Sequence, residues 1–247
     1  MAKARSKALR TLDEFAQAGV QCFLRGGYRL TQVADVSAAM GMSAGAIYRY
    51  VEGKEALFDI SVHYAAHLPI NDKQIPVKVG SIGDTIRAVR MVAGRWKDRP
   101  HLNQALTTKK PKDLRMEAAN IGLELYDLLS TYADFIGLLN RCAHDIPELL
   151  QVFNEEIKTP LFADLATWFQ RRSGMDGKKG GGHSAAVARA ALEAVAWLAN
   201  VRKRDETARS ITDEQARLAA SSIFVNLFPT EAGQRRSTDD KRHAVAG

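Results

Sequence analysis

The stretch "MGMSAGAIYRYVEGKEAL", residues 40–57, decides how the N-terminal part of this chain is expected to fold. Gly41 lies between two methionines, where a residue that tolerates positive φ would allow a tight turn. Ser43 follows and is a residue type that often begins a helix. Two tyrosines then flank an arginine at 48–50, in a chain with a formal net charge of +7. This pattern shows no catalytic constellation and raises the question of what the three side chains bind.

The spacing around Gly41 meets the requirements of a helix-turn-helix, in which two short helices meet at a steep angle through a short turn. Ser37 and Ala38 are small enough to let the second helix cross the first closely. Apolar residues that can anchor both helices to a core are Val33, Val36, Met40, Met42 and Ile47. The sequence therefore predicts a helix to about Met40, a turn at Gly41, and a second helix over 44–50.

The outer face of that second helix carries the residue types that bind DNA. The small residues at 44–46 would let the helix approach the floor of the major groove, where a methyl group can meet a thymine methyl. Tyrosine hydroxyls donate to phosphates, and Arg49 can reach a phosphate or a guanine edge. Thr31 and Lys54 stand at the starts of neighbouring helices, where charge and free amides hold a phosphate. For Tyr50 the pattern equally allows a position against the first helix.

Residues 15–60 resemble the DNA-binding domain of the tetracycline-repressor (TetR) family. The shared features are Phe-x-x-x-Gly-Tyr at the end of the first helix, Gly-Met-Ser, small-Gly-small-Ile-Tyr-x-Tyr, and Lys-Glu-Ala-Leu. The resemblance implies DNA contacts at Thr31, Ser43, Ala44, Gly45, Ala46, Tyr48, Arg49, Tyr50 and Lys54. The chain departs from the family at Gly19, Gln32, Ser37 and Val51, and its small recognition side chains leave the operator sequence open.

The rest of the chain also indicates an all-α fold, because apolar residues recur three or four apart and strand-like alternation is absent. The first helix is expected to start with a capping box at Thr11. We predict a basic flexible arm at 1–10, a helix-turn-helix domain at 11–67, a larger helical domain at 68–229 and a disordered tail at 230–247. The seam between the two domains is "LPINDKQIPVKVGS", residues 68–81. Later helices are expected near 82–98, 101–110, 113–141, 147–172, 184–203 and 212–228.

The family resemblance implies that the larger domain dimerises through its last two helices and encloses an effector pocket. The expected dimer residues are Val187, Ala191, Ala194, Val195, Leu198, Ala220, Ile223 and Phe224; packing inside one monomer is the alternative. The expected pocket residues are Met91, Arg95, Trp96, His101, Leu125, Tyr126, Leu129 and Trp168; a plain hydrophobic core is the alternative. The predicted partners are a double-stranded DNA operator, a second copy of the chain, and a small, largely apolar effector.

Composition and terminal sequence favour a cytoplasmic protein without a membrane span. No apolar run reaches the length of a bilayer span, and the basic start at 1–14 has no apolar region after it. Cys22 and Cys142 match no disulfide or zinc pattern. The glycine-rich stretch at 174–184 lacks the order of a phosphate-binding loop.

Two clusters of reactive residue types carry weaker signals. His63 and His67 have the spacing of two metal ligands on one helix face, but no third ligand type accompanies them. Cys142, His144 and Asp145 stand together at a helix end without a visible cleft or orienting partner. We therefore expect no metal, no cofactor and no enzymatic activity.

The function predicted from sequence is a homodimeric transcriptional repressor that leaves a palindromic operator when a small effector binds its larger domain. The alternatives are an activator or architectural DNA-binding factor without an effector, and an enzyme that carries a DNA-binding module.

Overall fold

The computed structural model describes residues 2–71, 73–79, 81–174 and 180–228, and these ranges are mostly helical. The α-helices are α1 (Ala2–Leu30), α2 (Val33–Ala39), α3 (Lys54–Ala65), α4 (Ile82–Arg95), α5 (Pro100–Thr107), α6 (Leu114–Thr131), α7 (Ala133–Cys142), α8 (Pro147–Phe153), α9 (Thr159–Ser173), α10 (Gly180–Ala196) and α11 (Asp213–Val225). Short 3₁₀ or π-helical turns occur at Ile47–Arg49, Asn154–Lys158, Trp197–Val201, Arg202–Arg204 and Glu206–Ala208. Pairing of β type in the described ranges is limited to an isolated parallel bridge between Val51 and Val77. The predicted all-α class, with an N-terminal helix-turn-helix and a larger helical region after it, is confirmed.

The chain forms two compact units that alternate along the sequence. The first unit comprises Met1–Asp98 and Thr131–Leu161, and the second comprises Arg99–Ser130 and Phe162–Gly247. Helices α7 and α8 therefore belong to the same unit as the helix-turn-helix. The linear division at 67/68 stays a prediction, and the predicted tail at 230–247 lies outside the described residues.

Two predicted helix limits are wrong. Helix α1 begins at Ala2 instead of Thr11, because residues 2–10 are mostly alanine, lysine, arginine and leucine, which favour helix and do not stop it. Only the backbone of this basic arm is described, and the side chains of Lys3, Arg5, Lys7 and Arg10 lie outside the described part. The single helix expected over 113–141 is divided into α6 and α7 at Tyr132, whose φ of −100° and ψ of 21° are not helical.

The core of the first unit forms where α1 packs on α3. Phe15, Phe23 and Phe58 are fully buried, and the rings of Phe23 and Phe58 meet edge to face with centroids 5.0 Å apart. Gly19 makes the close approach of the two helices possible, because a Cβ there would lie 2.3 Å from the Ser61 hydroxyl oxygen. This packing supports the residues that follow α1, which form the helix-turn-helix.

A buried polar network organises the second unit. The Glu117 carboxylate accepts hydrogen bonds from the Trp168 indole nitrogen at 2.8 Å and from Arg172 Nε at 2.7 Å. The Arg172 guanidinium also donates to the carbonyl oxygens of Ala105 and Thr108, at 2.8 and 3.0 Å. Because one arginine neutralises the carboxylate and satisfies the carbonyls at the end of α5, it joins α5, α6 and α9.

None of the helices that the structure describes is both long enough and apolar enough to cross a bilayer.

Replacing Gly122 by alanine should destabilise the protein, because a Cβ there would lie 2.6 Å from the Ala220 carbonyl oxygen and 3.0 Å from Ser221 Cα. Backbone atoms of α11 cannot move aside as a flexible side chain does, so we expect a loss of about 1–3 kcal/mol in the free energy of unfolding. The matched control is Gly94→Ala in α4, where a Cβ meets nothing within 4 Å. That variant should gain up to about 1 kcal/mol from helix propensity. Urea denaturation measures both changes, and equal effects of the two variants would contradict the close approach of α6 and α11.

Candidate nucleic-acid interface

The turn that follows α2 has the geometry that the sequence predicts. Gly41 adopts a positive φ of 66°, and the Met42 amide donates to the Ser37 carbonyl oxygen at 2.9 Å. The cap of α2 differs from the prediction, because Gln32 instead of Thr31 is the N-cap residue. The Gln32 amide donates to the Asp35 carboxylate at 2.7 Å, which completes a capping interaction at the helix start.

Residues 44–50, which we call the recognition segment, form a turn followed by a single 3₁₀ turn at Ile47–Arg49. The prediction of a regular α-helix over 44–50 is therefore wrong. The segment is too short for its hydrogen bonds to offset the free-energy cost of helix nucleation, and Gly45 lowers the helix propensity near its centre. The Ser43 carbonyl oxygen accepts from the Ala46 amide at 2.9 Å, and the Ile47 carbonyl oxygen accepts from the Tyr50 amide at 2.8 Å.

The recognition segment has one buried side and one exposed side. Ile47 is completely buried, and Ala46 points to the same core instead of the predicted outer face. Tyr48 is 50% exposed, and Arg49 beside it is also exposed. Residues 43–45 are exposed and carry almost no side chain, so the backbone is accessible there. The exposed side thus combines two polar side chains with an open stretch of backbone.

Tyr50 and Thr31 lie further inside than the DNA-contact prediction requires. The Tyr50 ring packs on Phe15 of α1 with centroids 5.2 Å apart, which is the alternative that the sequence left open. Thr31 is buried, and its hydroxyl donates to the carbonyl oxygen of Gly27 at 2.7 Å and lies 3.2 Å from that of Cys22. A hydroxyl has a single hydrogen, so this side chain closes the end of α1 instead of offering a donor to solvent.

Lys54 stands at the start of α3, as predicted, and holds that start against the end of α1. Its ammonium group donates to the Arg29 carbonyl oxygen at 3.0 Å and lies 4.7 Å from the centre of the Tyr28 ring. Because an ammonium group has three donors, hydrogens remain for a phosphate. The backbone amides of the first turn of α3, a helix of twelve residues, have no partners within the helix. They add a partial positive charge beside Lys54, as at every helix N-terminus.

The end of α1 is kinked at Gly27, and two residues at the end of α7 and just after it hold the kink from both sides. Gly27 has a φ of 74° and a ψ of 178°. The Arg141 guanidinium donates to the Arg25 carbonyl oxygen at 2.9 Å, before the kink. The Asp145 carboxylate accepts from the Arg29 amide at 2.8 Å, after the kink. These two contacts satisfy backbone groups that the break in the helix leaves without partners.

A neighbouring thiol and phenol have raised pKa values. Burial, with a smaller contribution from the charge of Asp145, raises the pKa of the Cys142 thiol to about 12. Burial and the Glu55 carboxylate raise the pKa of the Tyr28 hydroxyl to about 12. Both groups are therefore neutral at physiological pH, and a role of Cys142 as a nucleophile is not supported.

The sequence predicts an interdomain seam at residues 68–81, and the structure shows that residues 75–78 of it return to the recognition segment. The Val77 amide donates to the Tyr50 carbonyl oxygen at 2.7 Å, and the Glu52 amide donates to the Val77 carbonyl oxygen at 3.0 Å. The Lys78 ammonium forms an ion pair with Glu52 at 2.5 Å. The alternation of residues in "IPVKV", residues 75–79, is typical of a strand, but five residues are too few to distinguish a strand from a linker.

The predicted pocket residues are distributed over both units. Met91, Arg95 and Trp96 lie in the first unit, and the Arg95 guanidinium donates to the His67 carbonyl oxygen at 3.1 Å. The second unit contains His101, Leu125, Tyr126, Leu129 and Trp168, of which all but His101 are buried. A shared effector site of these eight residues stays a prediction.

The predicted dimer residues are mostly covered within the single chain. Ala191, Val195, Leu198, Ala220 and Phe224 are buried, and Val187, Ala194 and Ile223 are half-buried. The large apolar side chains that are exposed in the same region are different ones, namely Trp197, Val201 and Leu218.

His63 in α3 and His67, two residues after α3, each contact a backbone carbonyl oxygen. His63 Nδ1 lies 2.8 Å from the Pro69 oxygen, and His67 Nε2 lies 3.0 Å from the Thr131 oxygen. The described part of the chain contains no group of three or more potential ligand side chains with the geometry of a metal site.

Comparison with known proteins identifies the N-terminal part. Residues 16–59 match the family model of "Bacterial regulatory proteins, tetR family". No curated protein matches the chain in sequence. Among solved structures, a protein from Mesorhizobium loti MAFF303099 described as a TetR-family transcriptional regulator is 14% identical, with 89% of this chain and 96% of that chain covered and a TM-score of 0.47. A transcriptional regulator from Pseudomonas aeruginosa PAO1 is 18% identical, with 92% and 93% covered and a TM-score of 0.45. At these values neither structure supports a conclusion about the function of this chain.

The stability of the protein should fall at alkaline pH because of Cys142 and Tyr28. In an unfolded chain these groups lose their protons near pH 8.5 and 10, which is about 3.5 and about 2 pH units below their folded pKa values. The folded state therefore keeps protons that the unfolded state releases, and the stabilisation is complete below about pH 8.5 and is lost as pH rises toward 12. We expect the free energy of unfolding to decrease by up to about 1.4 kcal/mol per pH unit for the buried Cys142, and by less for Tyr28, because water screens the charge of its partly exposed hydroxyl. Urea denaturation between pH 7 and 10.5 measures this slope, and Cys142→Ala should delay the decrease to about pH 10. The same pH dependence of the free energy of unfolding in the wild type and in Cys142→Ala would contradict the raised pKa of Cys142.

Proposed function

We propose, from the match of residues 16–59 to the tetR family of bacterial regulatory proteins, that this chain is a homodimeric repressor of transcription. Each protomer would place its recognition segment in the major groove of a palindromic operator. A small molecule bound by the larger helical region would release the protein from the DNA.

The exposed side of the recognition segment is the observation that carries this proposal. Tyr48 and Arg49 project into solvent from a turn whose opposite side, Ile47, is fixed in the core. A tyrosine hydroxyl donates to a phosphate, and an arginine can bind either a phosphate or the two acceptors of a guanine edge. The accessible backbone of residues 43–45 lets the segment approach the base edges closely. These features suit DNA better than a small polar ligand, because an exposed segment can enter a groove of DNA, whereas a small ligand is bound in a cleft.

Phosphate binding on either side of the recognition segment would position it in the groove. Lys54 and the first amides of α3 offer one such site, since a helix start attracts anions. The basic residues at 1–10 offer another, and their side chains lie outside the described residues. Most hydrogen bonds of DNA-binding proteins go to phosphates in this way, and they set orientation instead of sequence.

A palindromic operator requires a protein with twofold symmetry, so we propose that the outer surface of the last helices forms the dimer. Trp197 and Val201 are four residues apart on one turn, and Leu218 on α11 is 58% exposed. Large apolar side chains at a surface are favoured when a second copy covers them. The recognition segments of the two protomers would then lie about 34–36 Å apart, one turn of DNA.

Release by an effector requires that the molecule bind one conformer of the dimer more tightly than the other. The second unit supplies buried apolar side chains, among them Leu125 and Leu129, that suit a largely apolar molecule. We propose such a molecule as the effector, and its binding would be detected by thermal stabilisation of the protein.

The proposal is tested by selecting genomic DNA fragments that the purified protein binds and titrating them with protein. We expect a palindromic sequence, and we expect Tyr48→Phe to weaken binding by about 1–2 kcal/mol through loss of one hydrogen bond to a phosphate. Arg87→Gln is the control, because Arg87 is an exposed arginine that pairs with Asp84 on α4. Binding of all fragments with equal affinity, or equal affinity of Tyr48→Phe and the wild type, would contradict the assigned DNA interface.

Replacing Leu218 by glutamate should produce a monomer, because a charge would have to be buried in the proposed dimer surface. Affinity for a palindromic fragment should fall at least about tenfold, since each protomer then binds alone. Sedimentation velocity measures the mass, and Gln104→Glu at an exposed position of α5 serves as the control, because it adds the same charge outside the last helices. A dimeric Leu218→Glu protein would place the interface elsewhere.

A further inference from the structure

The segment between α3 and α4 takes an unexpected course within the first unit. The chain leaves α3 at Ala65, turns at His67 with a positive φ of 51°, and returns to the residues that precede α3, where Val77 pairs with Val51. We call residues 68–79 the strap; Asp72 within it lies outside the described residues. The strap is held at its beginning by His63, whose ring nitrogen lies 2.8 Å from the Pro69 carbonyl oxygen. It therefore spans the length of α3 and ends beside the recognition segment.

The strap is bonded to the backbone at the end of the recognition segment. The Val77 amide donates to the Tyr50 carbonyl oxygen at 2.7 Å, and the Val77 carbonyl oxygen accepts from the Glu52 amide at 3.0 Å. Val77 and Val51 are both buried, so the pair is also protected from water. A recognition segment with a single 3₁₀ turn has few hydrogen bonds of its own. The two bonds of Val77 restrict the backbone of residues 50–52, just after that turn.

A simple linker between α3 and α4 would not need this course. The start of α4 is already fixed without the strap, because the Thr85 hydroxyl donates to the Asp59 carboxylate at 2.9 Å. The Ser81 hydroxyl also accepts from the Gly83 amide at 3.2 Å and caps the helix. The start of α4 thus has contacts of its own, whereas the backbone bonds of Val77 are made to residues 50 and 52.

The strap also changes the charge beside the recognition segment. Glu52 is an exposed carboxylate between Arg49 and Lys54, in the region that would approach phosphates. An unpaired carboxylate there would repel DNA. The Lys78 ammonium lies 2.5 Å from it and neutralises it. The same short segment therefore supplies both the backbone bonds and the counter-charge.

We propose that residues 75–78 of the strap are a working part of the DNA-reading surface, in which Val77 and Lys78 act as positioning residues. Val77 holds the end of the recognition segment in the conformation that presents Tyr48 and Arg49. Lys78 removes the repulsion between Glu52 and the DNA backbone. This inference rests on the proposed DNA-binding function.

The first experiment compares Val77→Asn with Val79→Asn, the same neutral substitution two residues further along the strap. Asparagine at the buried position 77 would leave its amide without partners, so the strap should separate from residues 50–52 without a change in net charge. We expect Val77→Asn to bind a selected operator fragment about tenfold more weakly, equivalent to about 1.4 kcal/mol. Val79 is only half-buried and lies beyond the bridge, so Val79→Asn should bind within about twofold of the wild type.

Hydrogen exchange at the Glu52 amide shows in the same samples whether the strap has separated, because that amide donates to the Val77 carbonyl oxygen. Faster exchange at Glu52 together with weaker DNA binding supports the proposal. Faster exchange with unchanged DNA binding overturns it. Should Val77→Asn fail to fold, Val77→Ala removes only the packing against Val51 and is judged by the same two readouts.

The second experiment uses the charge pair. Lys78→Gln should weaken DNA binding about two- to fivefold, because Glu52 is then unneutralised near the phosphates. Adding Glu52→Gln should restore the wild-type affinity, since no charge then needs a partner. Lys78→Gln with unchanged affinity, or a double variant as weak as Lys78→Gln alone, would overturn the neutralising role.

The outcome for the wild type separates this inference from the proposed function. A wild-type protein that binds no duplex at low salt refutes the proposed function itself. A wild-type protein that binds its fragment while Val77→Asn and Lys78→Gln bind it equally well refutes only the role of the strap.

Discussion

The burial of Ile47 is the constraint on which the exposed binding surface depends. Seven residues with a glycine among them cannot maintain a helical turn in water by themselves, because nucleation costs more than one or two hydrogen bonds return. Ile47 has no exposed surface, and Ala46 beside it is also buried, so the hydrophobic core of the first unit supplies the missing stability. That core consists of α1 packed closely on α3, with Gly19 at the point of approach. Tyr48 and Arg49 are directed outward as a consequence of this burial.

Residues from outside the helix-turn-helix motif complete its support at two places within the same unit. Arg141 and Asp145 satisfy the backbone on both sides of the kink at Gly27, just before α2 begins. Val77 bonds to the backbone just after the recognition segment. The positions of both ends of the motif therefore depend on segments that follow it in the chain. Within the first unit, a shift of α7 or of the strap would therefore change the presentation of the recognition segment.

The fold class and the turn were predictable because they depend on local rules. Helical spacing of apolar residues indicated an all-α chain, and Gly41 indicated the positive φ that the structure shows. The orientation of Ala46 and the inward hydroxyl of Thr31 were not predictable, because they depend on which side of a short turn finds a core. The bonds of Asp145 and Val77 join residues 116 and 27 positions apart in the chain, and spacing rules do not extend across such distances. Resemblance to a family gave positions for DNA contact, but it could not distinguish side chains that face outward from those that support the turn.

The central claim is that residues 43–49 form the surface that contacts DNA. Hydrogen exchange of the wild-type protein with and without a selected operator duplex tests it most directly. The account predicts that exchange slows at the amides of residues 43–49 and at the start of α3, where a bound duplex excludes water, while Trp168 and its neighbours in the second unit exchange at unchanged rates. Unchanged exchange at residues 43–49 in a saturated complex would contradict the account, because the DNA would then be bound by another surface.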